Sequence, residues 1–180
     1  MPKMTGGRFL AETMHGYGID HAFFVPVIVT RAMLEMDKLG IRHIMTHGEK
    51  AAVYMADGYA RAAGRPGICL AQSVGAANMA AGLQDPYLGR SPVIAMTGRR
   101  SRMGQYRNAY QEIDHIAPFA AVTKYSAAVD SAEQFPFLLR QAIRESMSGA
   151  PGPSHLDLEG HTGNVVADGE ADLEVIIEQQ

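Results

Sequence analysis

The sequence has few of the features that mark secreted, membrane-embedded or nucleic-acid-binding proteins. It contains a single cysteine, Cys69, and no tryptophan, so no disulfide framework can form and a reducing cytoplasm is the expected location. The longest apolar run, Ala22 to Val29, is far too short to cross a bilayer. A formal net charge of −3 gives no reason to expect a nucleic acid partner.

The composition that is present fits one globular domain. Hydrophobic residues make up 47% of the 180 residues and charged residues 19%, proportions typical of a chain that buries a sizeable core. The stretch from His161 to Gln180 has five acidic residues and no lysine or arginine. We therefore predict a domain over residues 1–160 and an acidic C-terminal tail or linker over residues 161–180.

Short apolar runs alternate with segments of helical periodicity along the chain. The predicted strands are 22–25, 41–45, 68–71, 92–97, 121–125 and 153–158. Ser131 and Gln134 have the spacing of a capping box for a helix running to Ser148, although Pro136 would break an early hydrogen bond. This alternation predicts an α/β three-layer sandwich, with a six-stranded, mostly parallel sheet covered by helices on both faces.

Glu49 stands in the first turn of an alanine-rich helix, directly after the predicted strand 41–45. Helical spacing predicts one inward-facing stripe, made of Ala52, Met55, Ala56, Tyr59, Ala60 and Ala63. Gly64 is placed to end the helix. An acidic residue at a helix N-terminus is also stabilised by the helix dipole, so its position alone does not establish a function.

Ligands of open α/β sheets bind beyond the carboxyl ends of the strands. Glu49, the turn 25–27 and the segment 72–78 all follow predicted strands. The later loop with Tyr110 and Gln111 is expected to reach the same edge. We therefore expect these segments to converge, although they are far apart in the sequence.

Six segments, in this order, resemble the pyrimidine-binding domain of thiamine-diphosphate-dependent enzymes, in the branch that includes acetolactate synthases. The helix from Glu49 resembles that family's "A-x-x-M-A-x-G-Y-A-R" segment, and Tyr110 to Asp114 resembles "(F/Y)-Q-E-x-D". The six segments are 46–67, 75–78, 91–98, 110–114, 122–125 and 152–157. The resemblance extends over about residues 5 to 160, which is a whole domain.

The resemblance implies thiamine diphosphate as cofactor and assigns roles to individual residues. Glu49 would hydrogen-bond the pyrimidine nitrogen N1′ and share a proton with it, and Gln111 would position the substrate at the reacting carbon. The other implied cofactor contacts are Pro26, Ser73 and Asn78, and the implied substrate contacts are Val27 and Tyr110. Several of these residues also have a purely structural interpretation: a solvated amide for Gln111, a packing contact for Tyr110, and a turn-stabilising side chain for Asn78.

The sequence departs from the family pattern in two places near the expected site. Phe24-Val25-Pro26-Val27 replaces a "G-x-P-G" turn, and Ser73-Val74-Gly75 replaces "G-P-G". The Pro-Val turn is reminiscent of the 2-hydroxyacyl-CoA lyase branch, so a related C–C lyase is an alternative. The acyl donor, the acceptor and the product class stay open.

The chain has no "G-D-G" followed by "N-N", the pattern with which the family binds the diphosphate and Mg²⁺. The resemblance therefore implies a partner subunit or domain that supplies this pattern, in a homo- or hetero-oligomer acting on a small 2-oxo acid or acyl substrate. Three interpretations follow: a pyrimidine-binding subunit of a split decarboxylase or carboligase, a fragment of a longer enzyme, and a non-catalytic relative used for binding or assembly. The chain as given, beginning at Met1, slightly favours the first.

Two further groups of residues give weaker indications of a binding site. Arg99, Arg100, Arg102 and Arg107 could bind an anionic substrate tail or a phosphate, although a solvated loop is the favoured interpretation. Histidines near Glu49 in the sequence do not form a recognisable ligand set. We therefore predict that this chain supplies no metal ligands, and that Mg²⁺ is bound mainly by the partner domain.

Overall fold

The computed structural model describes residues 3–172 as an α/β fold. Its strands are β1 (Lys3–Thr5), β2 (His21–Phe24), β3 (Arg42–Met45), β4 (Gly67–Gln72), β5 (Val93–Arg99), β6 (Tyr125–Val129), β7 (Ser154–Glu159) and β8 (Glu170–Asp172). The helices are α1 (Gly6–Gly16), α2 (Thr30–Lys38), α3 (Glu49–Ala63), α4 (Gly75–Gly82), α5 (Gln84–Leu88), α6 (Ile116–Ala120), α7 (Phe135–Met147) and α8 (Asn164–Asp168). A single 3-10 turn covers Arg102–Gly104.

Six of the strands form one parallel sheet in the order β3-β2-β4-β5-β7-β6. The predicted fold class is therefore confirmed. The sheet is covered on both faces. One apolar layer packs against α1, α2, α7 and α8, and the other against α3, α4 and α6. The central strands β4 and β5 are buried almost throughout, as their continuous apolar sequences predict.

The predicted strand 121–125 is wrong in position, because this segment continues the end of α6. The amide of Val122 donates to the carbonyl of Phe119 at 3.1 Å, and the Thr123 hydroxyl donates to the same carbonyl at 2.8 Å. Pairing with β7 begins only at Tyr125, opposite Ser154. Local turn hydrogen bonds therefore took precedence over the β-branched composition of the segment.

The predicted capping box of α7 is also wrong. The helix begins at Phe135, so Pro136 lies in its first turn, where the missing N–H has no intrahelical partner to lose. The Gln134 side chain instead accepts a hydrogen bond from the Asp130 amide at 2.9 Å. The proline thus marks the start of the helix rather than a break within it.

The segment expected to be an acidic tail begins with ordered structure. Strand β8 pairs antiparallel with β1. Helix α8 buries Val166 and Ala167 in the apolar layer that also contains residues of α1, α2 and α7. This pairing joins residues near opposite ends of the chain, which no local pattern could indicate. Residues 173–180, the remainder of the predicted tail, lie outside the described residues.

Helix α3 is turned relative to the predicted stripe. Ala52, Ala56 and Ala60 are buried as expected, and Val53 joins them. Met55 was predicted to face the core, but it is 48% exposed, and Ala63 is exposed as well. The inward face is therefore rotated toward Val53 and Asp57, and the apolar side chain of Met55 is left on the outer face of the helix.

The order of the strands sets the position of the expected site. The chain passes from β2 to β3 on one side of the sheet, and then crosses to β4 on the other side of β2. The carboxyl ends of β2 and β4 therefore form the switch point at which such sheets bind ligands. None of the helices within residues 3–172 is both long enough and apolar enough to cross a membrane.

Candidate functional site

Hydrogen bonds continue past the ends of the strands at the switch point and fix the segments that follow them. The Thr46 amide donates to the Phe24 carbonyl at 2.9 Å, and the Val25 amide donates to the Leu70 carbonyl at 3.2 Å. On the other side of β4, the Ser73 amide donates to the Gly98 carbonyl at 2.7 Å. The loops after β2, β3 and β4 therefore begin from a common, rigid edge.

Glu49 is the first residue of α3, and its side chain is half-buried at this edge. The Thr46 hydroxyl lies 3.0 Å from the Gly48 carbonyl and 3.3 Å from that of Phe24, which fixes the entry into the helix. Gly48 has an extended backbone and provides no side-chain cap. The strand end thus determines where the carboxyl group lies.

The Glu49 carboxyl group contacts the start of α4. The Asn78 amide nitrogen donates to Glu49 Oε2 at 3.0 Å. A β-carbon built on Gly75 would lie 2.7 Å from Glu49 Oε1, so a residue other than glycine would displace the carboxyl group. The Asn78 side chain therefore bonds to Glu49 on the neighbouring helix. The alternative interpretation expected it to stabilise its own turn. No other hydrogen bond to the Glu49 carboxyl group occurs within the described part of the chain.

Ser73 and Gln111 meet beside this pair. The Ser73 hydroxyl donates to the Gln111 carbonyl, and Ser73 is fully buried. Both residues have left-handed backbones, with φ of 40° and 60°. Such conformations cost non-glycine residues about 1–3 kcal/mol and persist where the surrounding structure dictates them. The contact therefore fixes the long loop to the switch point.

The Gln111 side chain has an unused acceptor. Its Nε2 donates to the Tyr110 hydroxyl at 3.0 Å, whereas its Oε1 is buried and has no hydrogen-bond partner. A buried acceptor without a partner is costly and calls for a donor from a ligand or a water molecule. The amide thus has the chemistry of a ligand contact.

Of the remaining predicted site residues, Tyr110 is bonded to Gln111, whereas Pro26 and Val27 only share the edge. Pro26 and Val27 form the exposed turn after β2, and the Tyr110 side chain is 74% exposed. None of the hydrogen bonds within residues 3–172 links Pro26 or Val27 to Glu49 or Gln111. The structure therefore brings together Glu49 with Asn78 and Ser73 with Gln111.

A second polar cluster lies at the other end of the same edge, around the buried Arg99. Its guanidinium pairs with Asp130, lies 2.6 Å from Glu159 Oε2, and has its Nε 3.7 Å from Asp157 Oδ2. The main-chain amide of Arg102 also donates to Glu159, at 3.0 Å. Each carboxylate of this cluster therefore has a positively charged or N–H partner.

A chain of hydrogen bonds extends from Asp157 into the sheet. The Thr97 hydroxyl donates to Asp157 at 2.7 Å, so its oxygen accepts from the Nε2–H of His155 at 2.8 Å. The other ring nitrogen of His155 accepts from the Ser126 hydroxyl, and the ring stacks on Phe119 at 3.6 Å. Burial, followed by the nearby His115, lowers the pKa of His155 well below its ordinary value. His155 is therefore a neutral, structural histidine.

The thiol of Cys69 is unsuited to chemistry. Burial raises the pKa of the Cys69 thiol, which makes it an inert core group. Within residues 3–172, no three His, Cys, Asp or Glu side chains are arranged to hold a metal ion.

Comparison with known proteins assigns the chain to a family. The family described as "Thiamine pyrophosphate enzyme, N-terminal TPP binding domain" matches residues 4–117. The match covers most of the chain, including the ends of β2, β3 and β4 and the loop to Gln111. The chain belongs to this family of thiamine pyrophosphate enzymes.

The similar relatives are acetolactate synthases. The chain is 33% identical over 172 residues to the acetolactate synthase of Arthrospira platensis, a match that covers 92% of this chain. It is 40% identical over 133 residues, or 73% of this chain, to a probable acetolactate synthase large subunit of Methanocaldococcus jannaschii. It is 35% identical over 159 residues, or 86% of this chain, to the acetolactate synthase isozyme 2 large subunit of Escherichia coli. These matches span 30%, 22% and 29% of the relatives' own lengths.

Sequence reasoning did not identify two residues that position the Glu49 carboxyl group, Thr46 and Gly75. Arg100, predicted only as part of an arginine cluster, holds the Tyr110 carbonyl, with its Nε and Nη2 at 3.3 and 3.1 Å. Gly75 lies within the segment "G-A-A-N" that resembles the family. A signal for it was therefore present, but the contact that requires glycine depends on the packing of α3 against α4.

Proposed function

We propose that this chain is the pyrimidine-binding part of a thiamine-diphosphate-dependent decarboxylase or carboligase that acts on a small 2-oxo acid or acyl substrate. The observation that carries the proposal is the Glu49 carboxyl group, half-buried at the switch point and bonded to one amide, that of Asn78. Glu49 Oε1 accepts no hydrogen bond from the described residues, so it remains available to a ligand.

The groups at the switch point suit the pyrimidine end of the cofactor. Asn78 holds one oxygen of the Glu49 carboxyl group, and the other, Oε1, lies close to Gly75 because that residue has no β-carbon. Such a carboxyl group can accept a hydrogen bond from a ring N–H or donate a proton to a ring nitrogen. Pro26 and Asn78 lie on the same edge and are proposed to contact the ring. Because Ser73 is fully buried, we propose that it acts by holding the Gln111 segment.

Thiamine diphosphate supplies a nucleophilic carbon, and its ring holds the electron density released by C–C cleavage. The protein supplies orientation and control of the proton. Glu49 would hold and return one proton at the pyrimidine nitrogen. Gln111, with its unpartnered Oε1, would orient the substrate, and Val27 and Tyr110 would form the adjacent wall. The Asn78 amide would keep the carboxyl group turned toward the ring.

The diphosphate end of this site is proposed to come from elsewhere, because the sequence contains no "G-D-G…N-N" pattern. We propose that a second domain, on this or another polypeptide, binds the diphosphate with Mg²⁺. Its docking surface would include exposed apolar side chains on β3, on α3, before α4 and on α5, namely Met45, Tyr54, Met55, Val74, Tyr87 and Leu88.

The test is to purify the chain together with a protein that carries the missing diphosphate-binding pattern. Consumption of 2-oxo acids and binding of thiamine diphosphate would then be measured with Mg²⁺ present. Glu49→Gln should lower turnover by at least about a hundredfold, because glutamine cannot exchange a proton. Glu12→Gln is the matched control, since it makes the same change at an exposed α1 position, 3.5 Å from Arg8.

The outcomes separate this function from its alternatives. Unchanged turnover in Glu49→Gln would refute the proposed proton role. Stable assembly in the absence of any turnover would favour a non-catalytic assembly module. Turnover of acyl-CoA substrates, but not of 2-oxo acids, would favour the lyase alternative.

A further inference from the structure

A recess opens at the same sheet edge, beyond β5 and away from Glu49. It has a volume of about 690 Å³ and lies between the loop 100–116 and the carboxyl ends of β5, β6 and β7. Pockets that bind small molecules usually have volumes of about 300–1,000 Å³. The recess is therefore large enough for a ligand of its own.

The carboxylates in the wall of this recess are already engaged. Asp157 accepts hydrogen bonds from Thr97 and from His115 Nδ1, the latter at 2.8 Å. Glu112 accepts from the amides of Tyr106 and Ala109, and these N–H groups, that of Ala109 foremost, lower the pKa of its carboxyl. Asp114, the third acid of the wall, accepts from the Ile116 amide at 3.0 Å through Oδ1, so each of these acids has a partner within the protein.

The Arg100 guanidinium, in contrast, is not paired with an acid. Its Nε and Nη2 both donate to the main-chain carbonyl of Tyr110, and no carboxylate within residues 3–172 lies within ion-pair distance of it. Its charge contributes, after burial, to the lowered pKa of His161, and it is also the last of the causes that lower the pKa of Glu112, which lies in the same wall. A guanidinium bonded only to a neutral carbonyl keeps donors for a carboxylate or phosphate.

His115 supplies a second unused group in the wall of the recess. The residue is 2% exposed, and because its Nδ1 bonds to Asp157, its Nε2 is the nitrogen left for another contact. That nitrogen is buried and has no hydrogen-bond partner. An unpartnered buried polar atom calls for a ligand or an ordered water.

We propose that this recess binds a small ligand with a carboxylate or phosphate group, recognised by the Arg100 guanidinium and by the imidazolium form of His115, whose Nδ1–H stays on Asp157 while its Nε2–H donates to the ligand. The Tyr110 carbonyl connects this site to the first one, because Tyr110 precedes Gln111, whose own carbonyl is held by Ser73. A ligand on Arg100 would therefore act on the segment that carries Gln111. The inference does not rest on the proposed function, since binding can be measured in the absence of catalysis.

The test is calorimetric titration of the purified 180-residue chain with inorganic phosphate and, separately, with succinate, at constant ionic strength set by chloride. We expect saturable binding of at least one probe. If only phosphate or only succinate binds, the result shows whether the recess prefers a phosphate or a carboxylate group. Arg100→Gln should weaken this binding about tenfold or more, because it removes a charged, forked donor. Arg107→Gln removes the same charge from the same loop at a residue outside the recess wall, and should change the affinity less than about twofold.

A nuclear magnetic resonance measurement locates the ligand. The ring Nε2 signal of His115, assigned by its disappearance in His115→Gln, should shift along the titration with the calorimetric dissociation constant. The proposal fails if neither probe saturates. It also fails if the Arg100 and Arg107 variants weaken binding equally, or if the His115 signal does not move.

Discussion

Two groups of polar residues lie at the carboxyl edge of one sheet, and they differ in how completely their charges are paired. At the switch point, Glu49 is bonded only to an amide, whereas at the far end Arg99 is surrounded by three carboxylates. A paired and buried cluster maintains structure, because any unpaired member would be costly. A sparsely bonded carboxyl group keeps its capacity for a ligand. The comparison separates residues that hold the edge together from residues that are free to act.

The largest expected effect breaks the paired cluster. Arg99→Leu leaves Asp130, Asp157 and Glu159 without their shared cation, and should lower the free energy of unfolding by about 3–5 kcal/mol. Urea denaturation measures this change. Arg100→Leu is the control, because Arg100 pairs with no carboxylate among the described residues, and it should cost less than about 1 kcal/mol. Equal losses in the two variants would contradict the distinction between the clusters.

A smaller effect is expected at the sparsely bonded end. Gly75→Ala places a β-carbon 2.7 Å from Glu49 Oε1 and should displace the carboxyl group. In the assembled enzyme, such a misplacement should lower turnover by up to about a hundredfold.

Gly58→Ala provides the matched glycine control for that prediction. A β-carbon on Gly58 would meet nothing within 4 Å, and the residue lies on the exposed side of α3. It should leave turnover unchanged and stabilise the helix by about 0.5–1 kcal/mol. Normal turnover in Gly75→Ala would show that the position of Glu49 is not restricted by α4.

The smallest effect concerns the loop between the two groups. The Glu112 carboxylate accepts main-chain N–H bonds, which lower its pKa from an ordinary value near 4.5. Because the pKa of Glu112 is lowered in the folded state, the charged carboxylate stabilises the loop fully at pH values above the ordinary pKa of 4.5. This stabilisation is lost as the pH falls through the lowered pKa. The amide signals of Tyr106 and Ala109 should therefore titrate with a midpoint below 4.5.

Glu112→Gln is the control for this titration, and it should remove the transition from both amide signals. A midpoint at or above the ordinary value in the unaltered chain would mean that these hydrogen bonds do not form in solution.

Much of the fold could be predicted because its signals are local. The apolar runs of β4, β5 and β7 and the periodicity of α3 depend on neighbours in the sequence. One error occurred where local hydrogen bonds outweigh composition, because Val122 and Thr123 close α6. Another occurred where a distant partner decides, because β8 pairs with β1 from the other end of the chain. The phase of α3 was also mistaken at Met55, because packing against α4 and β4 selects the inward face.

The candidate site was predictable in its residue types but not in its contacts. Glu49 and Gln111 were identified from segments that resemble a family. The donation from Asn78 to Glu49, and that from Ser73 to Gln111, cross 29 and 38 residues of sequence. Such contacts depend on which strands are neighbours, and the strand order follows from the burial of the whole sheet.

The sequence by itself determined the alternation of strands and helices, the acid that opens α3, and the family to which the chain belongs. These properties follow from side-chain periodicity and from the order of short segments, both of which can be read along one dimension. Only the tertiary structure decided which polar groups are paired and which remain open to a ligand. Hydrogen bonds require approach to about 3 Å, and that approach was set when β2 and β4 became neighbours and α4 packed on α3.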